Sequence, residues 1–215
     1  MMSRLTVFDL DHTLIQANSS FKFGSYLYKN GFFSFFSLLQ SVFHYSRYKF
    51  LGLPIEQLHF RIFDSLFKGR SREQVEAYAF HFIKQSLPAL LYSPAVERLR
   101  NAQSRGDTLL ILSSSPHFLV GLVANGLGVE NWEATSYQSD EKGNLARVGC
   151  VLEGEQKAER LRIWAKKVGA SRAEITVYSD SHWDLPLLFE AGQAVAVKPD
   201  RKLRKVCRKE SWEII

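Results

Sequence analysis

Leu5-Thr6-Val7-Phe8-Asp9-Leu10-Asp11-His12-Thr13-Leu14 is a short apolar run that ends in two carboxylates spaced two residues apart. On a strand, positions two apart face the same side. If the strand persists this far, Asp9 and Asp11 point into one pocket while Phe8 and Leu10 turn away. Two adjacent carboxylates repel unless a cation or a shared proton intervenes. A hard divalent ion such as Mg²⁺, with its preference for oxygen ligands, would relieve that repulsion. One carboxylate can then attack an electrophile while the other shuttles a proton. The plain alternative is an Asp-x-Asp turn that merely ends a strand.

Three more short apolar runs follow: Thr108–Leu112 into Ser113-Ser114-Ser115-Pro116, Ile175–Tyr178 into Ser179-Asp180-Ser181, and Ala194–Val197 into Lys198-Pro199. Runs without alternation suit strands buried on both faces. Helical patterns lie at about 93–105, 116–125, 155–168 and 184–190. Strand–helix alternation predicts an α/β fold with a parallel sheet and helices on both sides. Three of the four runs end in Asp or Ser, at the edge where open α/β sheets bind ligands. Lys142-Gly143-Asn144 predicts a hairpin turn between extended arms at 134–139 and 145–152.

About 95 residues separate the first two strands, too many for one crossover. Residues 17–91 therefore read as a helical insert, leaving 1–16 and 92–215 as the α/β core. The insert holds 13 of the 16 phenylalanines. They either pack the insert's own core, or line a helix that offers aromatics to lipid or to an apolar substrate, flanked by Lys22, Lys29, Arg47 and Lys49. The window 30–46 lacks charged residues but is too short and too polar to span a bilayer.

Other residues converge on the same chemistry. Ser113 ends a strand, with Ser115 as the expected N-cap and Pro116 as the expected first helical residue. A strand entering a helix offers free amides to an anion. Lys157 sits near the start of a helix, the wrong end for a cation in the helix dipole, which suggests another role for it. Asp180 can complete an oxygen-ligand metal site, and Asp184 can orient a water ligand or pair with Lys157. His182, in a loop beside Trp183, reads as structural.

Taken in order, Phe8-Asp9-Leu10-Asp11-His12-Thr13-Leu14, Ser113, Lys157 and Asp180 to Asp184 resemble the haloacid dehalogenase (HAD) superfamily of phosphotransferases. The insert is similar to that family's C1-type helical cap, of subclass I. Tyr178-Ser179-Asp180-Ser181 with Asp184-x-Pro186-Leu187-Leu188 resembles the group that holds phosphoserine phosphatase and a set of membrane-lipid phosphatases, phosphatidylglycerophosphatase C among them. The resemblance implies a Rossmann-like core and a phosphatase. It implies Asp9 as nucleophile and Asp11 as general acid and base. Mg²⁺ would be held by Asp9, Asp11 through its carbonyl, and Asp180. Ser113, with Ser114 beside it, and Lys157 would hold the phosphoryl oxygens, Thr13 would fix the loop, and Asp184 would support Lys157. His12 stands where many members have glycine. Asn18 stands about where phosphoserine phosphatases carry a glutamate for the substrate's amino group.

Composition agrees with a globular chain. It has 215 residues, 46% hydrophobic and 23% charged, and 2 cysteines without a CxxC. That leaves no disulfide scaffold or cysteine zinc site and fits a reducing, cytoplasmic setting. No stretch of about 20 unbroken apolar residues occurs, so no standard membrane span is expected. Met1-Met2-Ser3-Arg4-Leu5 runs almost at once into Asp9 and Asp11, so no cleavable signal peptide is expected. Most of the +6 net charge lies in residues 198–210, so no nucleic-acid surface is expected. Such a tail is either a solvated helix end or a contact with anionic lipid at the inner face of a membrane. With the aromatic insert, it predicts a phosphate ester, amphiphilic and met at a membrane surface, as substrate. The rival is a small soluble metabolite whose carboxylate Arg61 or Arg70 would bind. A silent membrane- or partner-binding module on the same fold is the reading from another class.

Overall fold

The computed structural model describes residues 4–34, 36, 39, 43, 46 and 55–215, the side chain of Ile55 excepted. The expectations for Arg47 and Lys49, and for most of the window 30–46, lie outside the described residues.

β1 (Leu5–Phe8), β2 (Thr108–Pro116), β3 (Asn131–Thr135), β6 (Ile175–Ser179), β7 (Gln193–Ala196) and β8 (Glu213–Ile214) form one sheet in the order β3-β2-β1-β6-β7-β8. All its ladders are parallel. β4 (Tyr137–Ser139) and β5 (Leu145–Val148) form a separate antiparallel hairpin. The period of two sorts the core. Leu5, Val7, Leu110, Leu112, Ile175 and Val177 face one layer, and Phe8, Ile111, Tyr178 and Val195 face the other. Helices α4 (Ser93–Ser104), α5 (His117–Leu127), α6 (Glu155–Val168), α7 (Leu185–Glu190) and α8 (Arg201–Glu210) complete the α/β core. From β1 the chain goes outward to β2 and β3 on one side, then returns to β6, β7 and β8 on the other. The carboxyl end of β1 is thus a topological switch point, where open α/β sheets form their crevice.

Between β1 and β2 run α1 (Ser19–Lys29), α2 (Ile55–Leu66) and α3 (Arg72–Leu90). The two connections to this insert lie side by side. The amide of Gln16 donates to the Leu90 carbonyl at 2.7 Å and that of Tyr92 to the Leu14 carbonyl at 2.9 Å. The phenylalanines divide. Phe23, Phe33, Phe63, Phe67 and Phe82 are buried, and Phe23, Phe63 and Phe67 meet Phe118 or Tyr137 of the core edge to face or tilted. Phe21, Phe36, Phe43, Phe60 and Phe80 are exposed.

Two local expectations are corrected. Ser115 does not cap a helix: β2 continues through Ser113-Ser114-Ser115 to Pro116, and α5 begins only at His117. A residue before proline is pushed out of the helical region, and Pro116 itself is extended, at φ −59° and ψ 139°. The ladder to β3 slips between Ser113 and Pro116. The expected hairpin arm at 134–139 is also divided. Ala134 and Thr135 belong to edge strand β3, and only Tyr137–Ser139 pairs with β5. The half-buried Asn131-Trp132-Glu133 lacks the apolar run that marks a central strand.

Candidate active site

A cavity of about 420 Å³ opens over the carboxyl ends of β1, β2 and β6. Its floor holds Asp9, Asp11, Ser114, Ser115, Lys157, Asp180 and Asp184. Its wall and mouth include Phe21, Phe23, Leu58, His59, Phe67, Tyr137, Glu153 and Trp183.

Asp9 follows β1 directly, and its amide donates to the Tyr178 carbonyl at 2.9 Å. Beneath it the Phe8 and Tyr178 rings stack with centroids 4.5 Å apart. Lys157 reaches the floor from the first turn of α6. Its Nζ donates to Asp9 Oδ1 at 2.7 Å and to Asp184 Oδ2 at 2.9 Å, and all three residues are buried. Asp184 Oδ2 also accepts from Ser179 Oγ at 2.7 Å. Lys157 therefore sits at an unfavourable helix end because two buried carboxylates hold it there. Burial lowers its pKa, but the charges of Asp184 and Asp9 outweigh burial and hold it above the ordinary lysine range. Thr13 Oγ1 donates to Asp9 Oδ2 at 3.3 Å.

The acids remain under-neutralised. Burial, opposed by Lys157 and reinforced by Asp184 and Asp11, pushes Asp9 up to about 7. Burial and the charges of Asp9 and Asp184 push Asp180 up to about 8. Two carboxyls so raised, facing one cavity, are a donor set that suits a hard divalent cation. Among the described residues no three His, Cys, Asp or Glu side chains converge as a metal cluster. The set implied above needs only two carboxylates and the Asp11 main-chain carbonyl, so the residues fit Mg²⁺.

Asp11 lies two residues beyond Asp9. Its Oδ1 accepts from the Ser19 amide at 2.8 Å and its Oδ2 from Ser115 Oγ at 2.6 Å. His12 between Asp11 and Thr13 is left-handed, with φ 60°. Glycine adopts that conformation freely, which makes physical sense of the glycine common at this point in the resembling family. Ser114 lines the cavity. Ser113 is buried, and its Oγ accepts from the Ser115 amide at 3.1 Å. His182 is structural, as expected. Its amide and ring pair with Asp200 at 2.8 and 2.7 Å. Asn18 caps α1 through the Phe21 amide at 2.8 Å. Arg70 bonds the Leu66 carbonyl and lies 4.8 Å over the Phe32 ring, and neither it nor Arg61 is among the described lining residues.

Ser115, Ser19, Ser20, Glu153, His59 and Tyr137 escaped the sequence reading as site residues. Burial pushes Glu153 up to about 7 and His59 down to about 4. Only the Glu153 position, four residues before Lys157 and on the same approach to α6, carried a signal in the sequence.

Comparison with known proteins places this geometry. The family model for haloacid dehalogenase-like hydrolases matches residues 6–188. The phosphoserine phosphatase SerB1 of Mycobacterium tuberculosis is 28% identical over 96% of this chain and 68% of its own length. A histidinol-phosphatase of Neisseria meningitidis is 28% identical, covering 100% of this chain and 99% of its own. Among solved structures, a protein of unknown function from Bordetella pertussis superposes with a TM-score of 0.89 at 24% identity, covering 100% of this chain and 99% of its own. A substrate-bound phosphoserine phosphatase superposes with a TM-score of 0.73 at 21% identity, covering 100% and 93%.

Proposed function

The chain belongs to the haloacid dehalogenase-like hydrolases, and from that premise we propose that it hydrolyses phosphate monoesters through an aspartyl-phosphate on Asp9, taking an apolar or amphiphilic organic group into the cavity above. The observation that carries this reading is the Asp9–Lys157 contact of 2.7 Å on the cavity floor, with Asp11 beside it.

Asp9 Oδ attacks phosphorus as the bond to the leaving oxygen breaks. Asp11 gives that oxygen a proton. Asp11, now ionised, takes a proton from water as the water oxygen attacks phosphorus, and the bond to Asp9 breaks. Lys157, held by Asp184, balances the charge of nucleophile and phosphoryl oxygens. Ser114 lines the cavity and would offer its amide and hydroxyl to the phosphoryl oxygens. Mg²⁺, held by Asp9, Asp180 and the Asp11 carbonyl, would supply the charge neutralisation that two raised carboxyls call for.

The organic group meets Phe21, Phe23, Leu58, Phe67, Tyr137 and Trp183. No arginine is among the described lining residues, so that part of the wall offers a substrate carboxylate no bidentate partner. This favours an apolar or amphiphilic ester over phosphoserine. No described helix is long and apolar enough to cross a membrane. Helix α8 buries Leu203 and Cys207 and turns its basic residues outward, which suits a solvated face as well as a lipid contact.

The test is phosphate release from p-nitrophenyl phosphate, phosphoserine, histidinol phosphate, phosphatidylglycerophosphate and lysophosphatidate, each with Mg²⁺ and with EDTA. Mg²⁺-dependent turnover concentrated on the esters with apolar groups is expected. Turnover confined to phosphoserine overturns the substrate class, and silence on every ester overturns the hydrolase reading.

A further inference from the structure

The carboxylate of Asp11 is gripped from two parts of the fold at once. Oδ2 accepts from Ser115 Oγ at the end of β2, at 2.6 Å. Oδ1 accepts from the amide of Ser19, the first residue of α1 in the insert, at 2.8 Å. Ser115 has further neighbours: Ser19 Oγ and Ser20 Oγ each lie 2.9 Å from its oxygen. Ser19 and Ser115 are buried.

Proton counting fixes the direction of this network. A serine hydroxyl has one proton to donate and two lone pairs to accept with. Whenever Ser115 gives its one proton to Asp11 Oδ2, both neighbouring hydroxyls must donate to Ser115. The donors are thus aligned toward one carboxylate, and each polarises the next. A hydrogen bond to an ionised acceptor is also roughly twice as strong as a neutral one. The backbone at Ser115 is itself held, since its amide donates to Ser113 Oγ at 3.1 Å. The serines can follow Asp11 through its cycle. A proton carried for the ester sits on the lone pair of Asp11 that faces the leaving oxygen, while Ser115 Oγ and the Ser19 amide keep hold of the two carboxyl oxygens.

We propose that Ser115 is a positioning residue that sets the carboxyl plane of Asp11 for proton transfer, and that Ser19 and Ser20 extend this hold from the insert. The inference rests on Asp11 as the general acid and base of the reaction above. In that step the phosphorus–oxygen bond of the ester breaks, the phosphoryl group passes to Asp9, and the departing oxygen receives the Asp11 proton. An acid that can rotate reaches that oxygen less often. The loss falls on esters whose leaving oxygen most needs the proton. Because α1 supplies one of the two grips, the acid is fully oriented only while the start of the insert lies against the end of β2.

The experiment compares kcat/KM on n-hexyl phosphate, a poor leaving group, with p-nitrophenyl phosphate, a good one, for the wild type, Ser115→Ala, Ser20→Ala and Asp11→Asn. Thermal unfolding of each variant reports its folding. Positioned general acids contribute about a hundredfold or more, so Ser115→Ala should lose at least about tenfold more on the hexyl ester than on the nitrophenyl ester. Ser20→Ala should lose less, in the same direction, and it carries the test if Ser115→Ala does not fold. Equal losses on the two esters, or none, while Asp11→Asn discriminates strongly between them, would overturn the inference alone. If Asp11→Asn itself does not discriminate, the general-acid reading falls and takes the inference with it. A wild type that turns over neither ester overturns the apolar-ester reading on which the inference rests, and the hydrolase reading falls only if the whole panel above is silent too.

Discussion

The buried triad of Asp9, Lys157 and Asp184 carries the opposed demands of the site. As the proposed nucleophile, Asp9 must be ionised to attack, yet its burial favours the neutral form. Lys157 is the cation that contacts it, and Lys157 is shared with Asp184. Replacing Asp9 by Asn keeps the shape and removes the nucleophile. Turnover should be almost abolished with unfolding unchanged, and retention of even about a tenth of wild-type activity would remove Asp9 from that role. Lys157→Met should be costly to the fold as well as to activity, because it strands two buried carboxylates. Urea unfolding at neutral pH is expected to show a loss of about 3 kcal/mol. Asp9 was legible in the sequence because it follows an apolar strand, Lys157 because it lies at the wrong end of a helix for a cation, and Asp184 because it follows Asp180 beyond the third apolar run. The sequence did not show that the Asp11 carboxylate would be grasped by serines from positions 19 and 115. Serine is common, and no local pattern separates a bound hydroxyl from a solvated one.

At the scale of elements, the three-serine run shows how proline shapes a site. Pro116 holds Ser115 extended, β2 overruns its apolar stretch, and the hydroxyl of Ser115 thereby reaches Asp11 rather than a helix amide. Helix α8 has a similar influence on the far side. Asp200 caps it, with Oδ1 accepting from the Lys202 and Leu203 amides at 2.8 Å each, and its own amide donates to the Asp180 carbonyl at 3.0 Å. Burial alone would raise the Asp200 carboxyl. Hydrogen bonds from His182 and Leu203 outweigh it and hold the group below the usual carboxylate range. The folded-state pKa is therefore depressed, so this stabilisation is full above the unfolded aspartate value of about 3.9 and fades as pH falls through the lower folded value. Asp200→Ala should lower stability by about 1 kcal/mol at pH 7. The gap to wild type should close in acid, and chemical unfolding across pH 2 to 7 checks it. Edge strands β3 and β8 were not legible, because short and half-buried strands need no continuous apolar run.

For the whole molecule, the acids at the switch point leave a charge imbalance that a bound cation would relieve. Mg²⁺ that binds only the folded state should therefore raise the unfolding temperature, by mass action. Calorimetry with Mg²⁺ and with EDTA should show that shift in the wild type and little or none in Asp180→Ala. An equal shift in the two proteins would remove Asp180 from the metal set. The sequence by itself determined the α/β class, the helices between β1 and β2, and the order of the acidic, serine and lysine positions. Those features rest on local periodicity and on motifs that end strands, and both survive without tertiary context. Tertiary structure alone decided which aromatics are inside and which are exposed, since Phe23 and Phe21 differ in burial but not in chemistry. It alone excluded Arg70 from the described lining of the chamber and turned the basic face of α8 outward. It also alone brought β2 and the start of α1 together on Asp11. Contacts between residues about a hundred positions apart follow from how the layers pack, and no short window of sequence encodes that.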